Sequence, residues 1–192
     1  MIHYVVTREH SYAMQPYARS WDRMRLLFYD DVFRATSLPA GAYIFTDIER
    51  LTASGRQLAI AVWQQLFAYT PQVRLLNDPA RLLTRYELLC ELARDGTNRY
   101  GARRATERLD GLRYPVFIRS EREHTGALTP LLHSPADVRR ALRWARLHAY
   151  RAGELLVVEF CDTSDSAGLF RKYSAFLVGD AVLPRHLFVS RK

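Results

Sequence analysis

Tyr114-Pro115-Val116-Phe117-Ile118-Arg119 and, further along, Leu155-Leu156-Val157-Val158-Glu159-Phe160 are the two stretches that decide how this chain folds. Each is a short apolar run of the length and composition of a buried strand. Each also carries a charge at its end, Arg119 in the first and Glu159 in the second. A charge at the end of a buried strand needs a counter-charge, hydrogen-bond donors or a ligand. For Arg119 two readings stay open: an ion pair with Glu121 or Glu123, or an anionic ligand. For Glu159 the plain reading is a pair with one of the many arginines, and the functional one is an acceptor for a ribose hydroxyl.

Outward from these strands, the punctuation is clear. Residues 120–126 read as a polar loop with a single glycine, Gly126, a weak phosphate cradle. His124 in that loop reads as a surface histidine or a proton donor. Ser134, Pro135 and Asp137 form the start of a helix, an acidic variant of the capping box. Val138, Leu142, Ala145 and Ala149 line its apolar face, with Gly153 as its stop. Gly179-Asp180 is a two-residue hairpin turn between strands at 173–178 and 181–186. That register pairs Val178 with Ala181 and Ser174 with Arg185. It puts Lys172, Ser174 and Arg185 on one face and Arg171, Tyr173 and His186 on the other.

Upstream, residues 2–7, 42–45 and 73–76 read as strands, the second ending at Thr46-Asp47. Residues 21–28 read as helical. A helix carries Leu58, Val62, Leu66 and Tyr69 at helical spacing. The next has Asp78 as cap and Pro79 as first residue, with Leu82, Tyr86, Leu89 and Ala93 on one face and Gly96 at its end. The alternation of strands and helices predicts an α/β protein. Asn77-Asp78-Pro79 is the expected boundary, giving a small α/β domain over 1–78 and a second domain over 79–192.

Composition narrows the function. Apolar residues make up 48% of the 192, which excludes a disordered chain. No run of about 18 apolar residues is present, so no membrane span is expected. The first residues lack the basic start and apolar core of a signal peptide, and a cytoplasmic location is the expectation. The net charge is +8, carried almost wholly by arginine. These arginines are scattered, with the densest cluster at Arg99, Arg103, Arg104 and Arg108, so nucleic acid is not the expected partner. Cys90 and Cys161 have no partner at metal-ligand spacing and read as reduced, packed thiols. No spacing suggests zinc or a Ser-His-Asp or Cys-His nucleophile.

Taken together, these positions resemble the ATP-grasp superfamily, which includes glutathione synthetase, D-alanine–D-alanine ligase and the ribosomal-protein glutamate ligase. Arg85 and Gly96 resemble that family's helix-opening cation and its following glycine. Pro115-Val116-Phe117-Ile118-Arg119 is similar to its Pro-Val-x-x-Lys strand, with arginine for lysine. Gly126 resembles the phosphate-loop glycine. Val158-Glu159-Phe160 resembles the hinge, and Val178-Gly179-Asp180 the closing hairpin. The resemblance implies a small domain like the one that precedes the grasp, followed by a partial ATP-grasp domain.

It also implies ATP as cofactor, held by Arg85, Arg119, Gly126, Glu159, Phe160, Cys161, Asp162, Lys172 and Arg185. Asp162 and Asp165 otherwise read as a solvated loop. The arginine usual in the first hairpin strand falls at Ser174, so Lys172 or Arg185 would replace it. The family's Mg²⁺ ligands follow this hairpin, so they are expected outside the chain, and the chain reads as C-terminally incomplete, with an exposed edge and apolar face at its last strand. The activity implied is that of part or a relative of a carboxylate–amine or carboxylate–thiol ligase acting through an acyl-phosphate, with an unspecified carboxylate substrate. The alternatives are a non-catalytic relative serving as an interaction module and, behind it, a basic RNA-binding protein. A homo-oligomer remains open.

Overall fold

The computed structural model describes residues 1–69, 73–123 and 126–191. His124, Thr125, Lys192 and the side chain of Tyr69 lie outside the described set. The chain forms two compact units, Met1–Leu88 with Glu121–His124, and Leu89–Ser120 with Thr125–Lys192.

The first unit is a parallel sheet with helices. Its strands are β1 (Ile2–Val6), β2 (Met24–Phe28), β3 (Ala42–Phe45) and β4 (Leu75–Leu76), in the order β2-β1-β3-β4. Its helices are α1 (Gln15–Ser20), α2 (Tyr29–Val32) and α3 (Ala53–Tyr69). Register sets His3 beside Tyr43 and Val5 beside Phe45, so these four share one face. Val5, Tyr43 and Phe45 share a core with Ala59 and Leu66 of α3, and Val62 and Trp63 pack against it. Leu58, expected on that face, is exposed instead.

The helix expected over 21–28 is not formed. Helix α1 lies earlier and Met24–Phe28 is an edge strand. Its parallel pairing with β1 is a long-range contact that overrides local periodicity. The strand expected over 73–76 narrows to Leu75–Leu76.

Helix α4 (Arg85–Arg94) begins six residues later than its expected start at Pro79. Asp78 caps a turn instead, its Oδ1 accepting from Ala80 N at 2.8 Å. The helix start belongs to Thr84 and Glu87: Thr84 N donates to Glu87 Oε2 and Glu87 N to Thr84 Oγ1, a capping box that outcompetes the proline signal.

In the second unit β5 (Ala102–Arg104), β6 (Val116–Ser120) and β7 (Leu155–Glu159) make an antiparallel sheet in the order β5-β7-β6. Helix α5 (Pro135–Leu147) covers one face, where Val116, Ile118, Leu155 and Val157 share a core with Val138 and Ala145. The expected cap is present, with Asp137 N donating to Ser134 Oγ at 3.2 Å and Ser134 Oγ to Asp137 Oδ2 at 2.8 Å. The helix stops at Leu147, ahead of Gly153. Ala149, expected on its face, is left-handed at φ 64°, and Tyr150 N closes the end on Ala145 O.

A long two-stranded ladder, β8 (Leu169–Val178) and β9 (Ala181–Arg191), completes the unit. Val178 pairs with Ala181, as the turn requires. Ser174, however, pairs with His186 and Ala175 with Pro184, so Arg185 is the extra residue of a bulge. His186 therefore shares the face of Lys172 and Ser174, not that of Tyr173. Arg185 joins them by way of the bulge, its guanidinium 4.9 Å from the centre of the Phe176 ring.

One glycine in the first unit is fixed by crowding. At Gly41 the backbone has φ +153°, and an added Cβ would lie 2.6 Å from Met1 O and 2.7 Å from His3 Nε2. The His3 ring is itself held by Ala40 O and packed on Tyr43, so it has little room to yield. Gly41→Ala is therefore expected to lower unfolding stability by about 2 kcal/mol in urea titration, an overpacking cost. An unchanged midpoint would contradict this packing.

Candidate functional site

The antiparallel register of the second unit builds rows across its sheet. Ala102, Val158 and Phe117 form one row, and Arg104, Leu156 and Arg119 the next. Alternation places both rows on the face opposite α5. Leu156 and Val158 are buried at 0% and 3% exposure, while Phe117, Arg104 and Arg119 are half-buried at the flanks. Two strand spacings separate the Arg104 and Arg119 backbones, roughly 10 Å. The face is thus apolar along its middle and cationic on both sides of Leu156. Arg104 Nη1 donates to Gly153 O at 2.9 Å, which steadies one of the two cations. Arg119 is a candidate from its place at a strand end and Arg104 is not, because nothing local shows that residues 104 and 119 flank the same position of β7.

Glu159 closes the other end of β7. One carboxylate receives four hydrogen bonds: from Gly101 N at 2.9 Å, Arg113 N at 2.8 Å, Arg113 Nε at 3.1 Å and Arg113 Nη2 at 2.8 Å. Arg113 Nη2 also donates to Arg99 O. Burial pushes the Glu159 carboxyl up, but the Arg113 side chain and the Arg113 and Gly101 amides together hold it below its ordinary 4.5. In this structure Glu159 realises the plain reading of its sequence, a strand-end carboxylate paired with an arginine.

The segment after β7 leaves the sheet beside this pair. Phe160 N donates to Pro115 O at 2.9 Å, and the Phe160 ring meets Phe170 edge-on at 6.5 Å. Cys161 is half-buried and, like Cys90, a free thiol. Asp162 is exposed, its Oδ1 accepting from Ser164 N and Oγ. Asp165 accepts from Ala167 N and Leu169 N and pairs with Arg171, pinning the start of β8.

The remaining expected residues lie as follows. Gly126 is exposed at φ +95° with no atom within 4 Å of an added Cβ, so backbone conformation alone selects glycine there. Lys172 lies opposite Phe188 on the hairpin. Arg85, in the first unit, donates through Nη1 to the carbonyls of Glu121 and Glu123, and burial lowers its pKa. It thereby ties the first turn of α4 to the loop that follows β6. Among the described residues no three His, Cys, Asp or Glu side chains gather as metal ligands. Nor is any described helix long and apolar enough to cross a membrane.

A polar cluster that the sequence did not flag lies at the carboxyl ends of the parallel strands. Asp47 is left-handed, at φ 53° and ψ 22°. Its Oδ2 accepts from Thr7 N at 3.2 Å and Thr7 Oγ1 at 2.7 Å. Arg50 Nη1 lies 2.7 Å from His10 Nε2 and can only donate, so His10 presents its Nδ1–H to Thr7 Oγ1. The available signal was positional: Thr7, Thr46-Asp47 and Asn77-Asp78 each follow a strand of the parallel sheet.

No family model matches the chain, and no curated protein matches it. Among solved structures, D-alanine–D-alanine ligase from Bacillus anthracis is similar at a TM-score of 0.42 and 10% identity, over 100% of this chain and 71% of that one. A likeness of that size does not define a family. Among the described residues the fold is mixed α/β, with one parallel and two antiparallel sheets.

The Glu159 arrangement has a signed pH consequence. A carboxyl held below its ordinary value stabilises the fold fully above pH 4.5, and this contribution is lost as pH falls through its lower folded value. Glu159→Gln is expected to destabilise the protein at pH 7 and to shrink the loss of stability on acidification, read by urea unfolding across pH. A variant with the wild-type acid profile would contradict this assignment.

Proposed function

We propose that the second unit binds ATP in the manner of an ATP-grasp protein, and that the chain is part or a relative of a carboxylate–amine or carboxylate–thiol ligase. The observation that carries this reading is the row Arg104–Leu156–Arg119 beside the Ala102–Val158–Phe117 row. An adenine nucleotide needs apolar contact for its ring and fixed cations for its phosphates. From the Phe117 row to the Arg119 row is two residues of strand, and from Phe160 to the Arg119 row is four, about 13 Å at strand rise. Arg104 and Arg119 would hold phosphate oxygens, while Phe160, Cys161 and Asp162 would border the ring and ribose. Lys172 and Arg185, on one face of the hairpin, are further phosphate candidates.

ATP would supply the phosphoryl group that turns a substrate carboxylate into an acyl-phosphate, which an amine or thiol then attacks with loss of phosphate. The chain's own residues contribute charge and positioning. The exposed apolar side chains of the hairpin, among them Tyr173, Leu177 and Val182, favour a second reading as an interaction module.

Calorimetric titration with ADP separates the two. Saturable binding is expected, weakened about tenfold or more by Arg119→Ala and by Arg104→Ala, as loss of a charged hydrogen bond implies. Arg143→Ala, on the exposed side of α5, should bind as wild type. Equal affinity in all three variants would remove the site assignment. No heat with the wild type would favour the interaction module.

A further inference from the structure

Helix α5 turns one side to the core of the second unit and the other to solvent, and the solvent side is cationic. Val138 and Ala145 are buried, while Arg139, Arg140, Arg143 and Arg146 are exposed. Arg139, Arg143 and Arg146 fall at i, i+4 and i+7, one stripe along the helix. Asp137 is the one acid of α5, and it is engaged: it closes the cap with Ser134 and pairs with Arg140. Among the described residues the three arginines of the stripe have no ion pair and no side-chain hydrogen bond. Like charges at this spacing destabilise a helix, and no carboxylate offsets them here. A bound polyanion would.

A second observation comes from the stripe beside it, Arg140, Trp144 and Leu147, again at i, i+4 and i+7. Trp144 is 45% exposed and Leu147 84%. The indole is held in place, because the His148 ring stacks on it with centroids 4.1 Å apart. His148 Nδ1–H in turn donates to Trp144 O at 2.9 Å, which fixes that imidazole. A fixed, solvent-facing ring bordered by unpaired guanidiniums matches the two needs of a nucleic-acid strand, stacking for a base and charge for its phosphates. Stacking of this kind needs an unpaired base, so a single strand fits and a duplex does not. A lipid surface would need a wider apolar stripe than Trp144 and Leu147 supply.

We propose that the outer face of α5 binds a single nucleic-acid strand, with Arg139, Arg143 and Arg146 on its phosphates and Trp144 stacked on a base. Contacts to phosphates and ring faces read no sequence. The proposal does not rest on the nucleotide reading, because the Arg104–Leu156–Arg119 row lies on the sheet face that α5 leaves uncovered.

The test is fluorescence anisotropy across a range of salt, with a fluorescein-labelled oligothymidylate of about 20 nucleotides, longer than one binding site. Saturable binding is expected, weakening as salt rises. The triple variant Arg139→Gln, Arg143→Gln, Arg146→Gln should lose about tenfold or more in affinity. Its plot of log K against log salt should flatten by about 2 units of slope, as loss of three phosphate contacts implies. Arg34→Gln, Arg74→Gln, Arg81→Gln removes the same charge from exposed positions of the first unit and should bind within about twofold of wild type. Trp144→Ala should lose about fivefold or more with the salt slope unchanged. The substituted side chains are exposed, and glutamine is close to arginine in helix propensity, so the variants are expected to fold. Equal losses in the two triple variants would reduce the binding to net charge and overturn the proposal. So would wild-type affinity in Trp144→Ala, equal affinity for polyglutamate, tighter binding of a duplex, or displacement of the strand by saturating ADP.

Discussion

A single carboxylate holds the second unit in register. Glu159 sits at the end of β7 with 8% exposure, and its four hydrogen bonds reach Gly101, just before β5, and Arg113, just before β6. The three strands are therefore pinned at one end by one side chain. Buried carboxylates persist only when their lone pairs are met, and here an arginine fork and two amides meet them. The rows that carry Arg104 and Arg119 follow from that pinned register: a shift of one residue would turn both cations to the α5 face.

Much of this unit was legible in the sequence. The runs ending at Arg119 and Glu159 are strands, and the Ser134–Asp137 cap opens a helix, because each signal is local. The Gly179-Asp180 turn fixed the first pairs of the hairpin, but not the bulge at Arg185, whose extra residue changes the face of His186. Ala149 takes the left-handed helix end although it is not glycine, so the glycine rule pointed four residues too far. Pro79 misled in the same way, since the reciprocal bonds of Thr84 and Glu87 decide where α4 begins.

What was not legible depends on parallel pairing and cross-strand adjacency. Met24–Phe28 becomes a strand because β1 lies alongside it. Arg104 gains its place beside Leu156 only through the antiparallel register. Thr7, His10, Asp47 and Arg50 are 40 residues or more apart in part, and no spacing rule brings them together.

Hydrogen–deuterium exchange with and without ADP asks whether a nucleotide reaches the β5-β7-β6 sheet, because it reports where a ligand acts without altering any residue. Nucleotide binding along the Arg104–Leu156–Arg119 row gives slower exchange at β5, at β6 and in the segment that follows β7, with little change at the carboxyl ends of β3 and β4. Protection confined to the first unit, or none at β5 and β6 under saturating ADP, would contradict it.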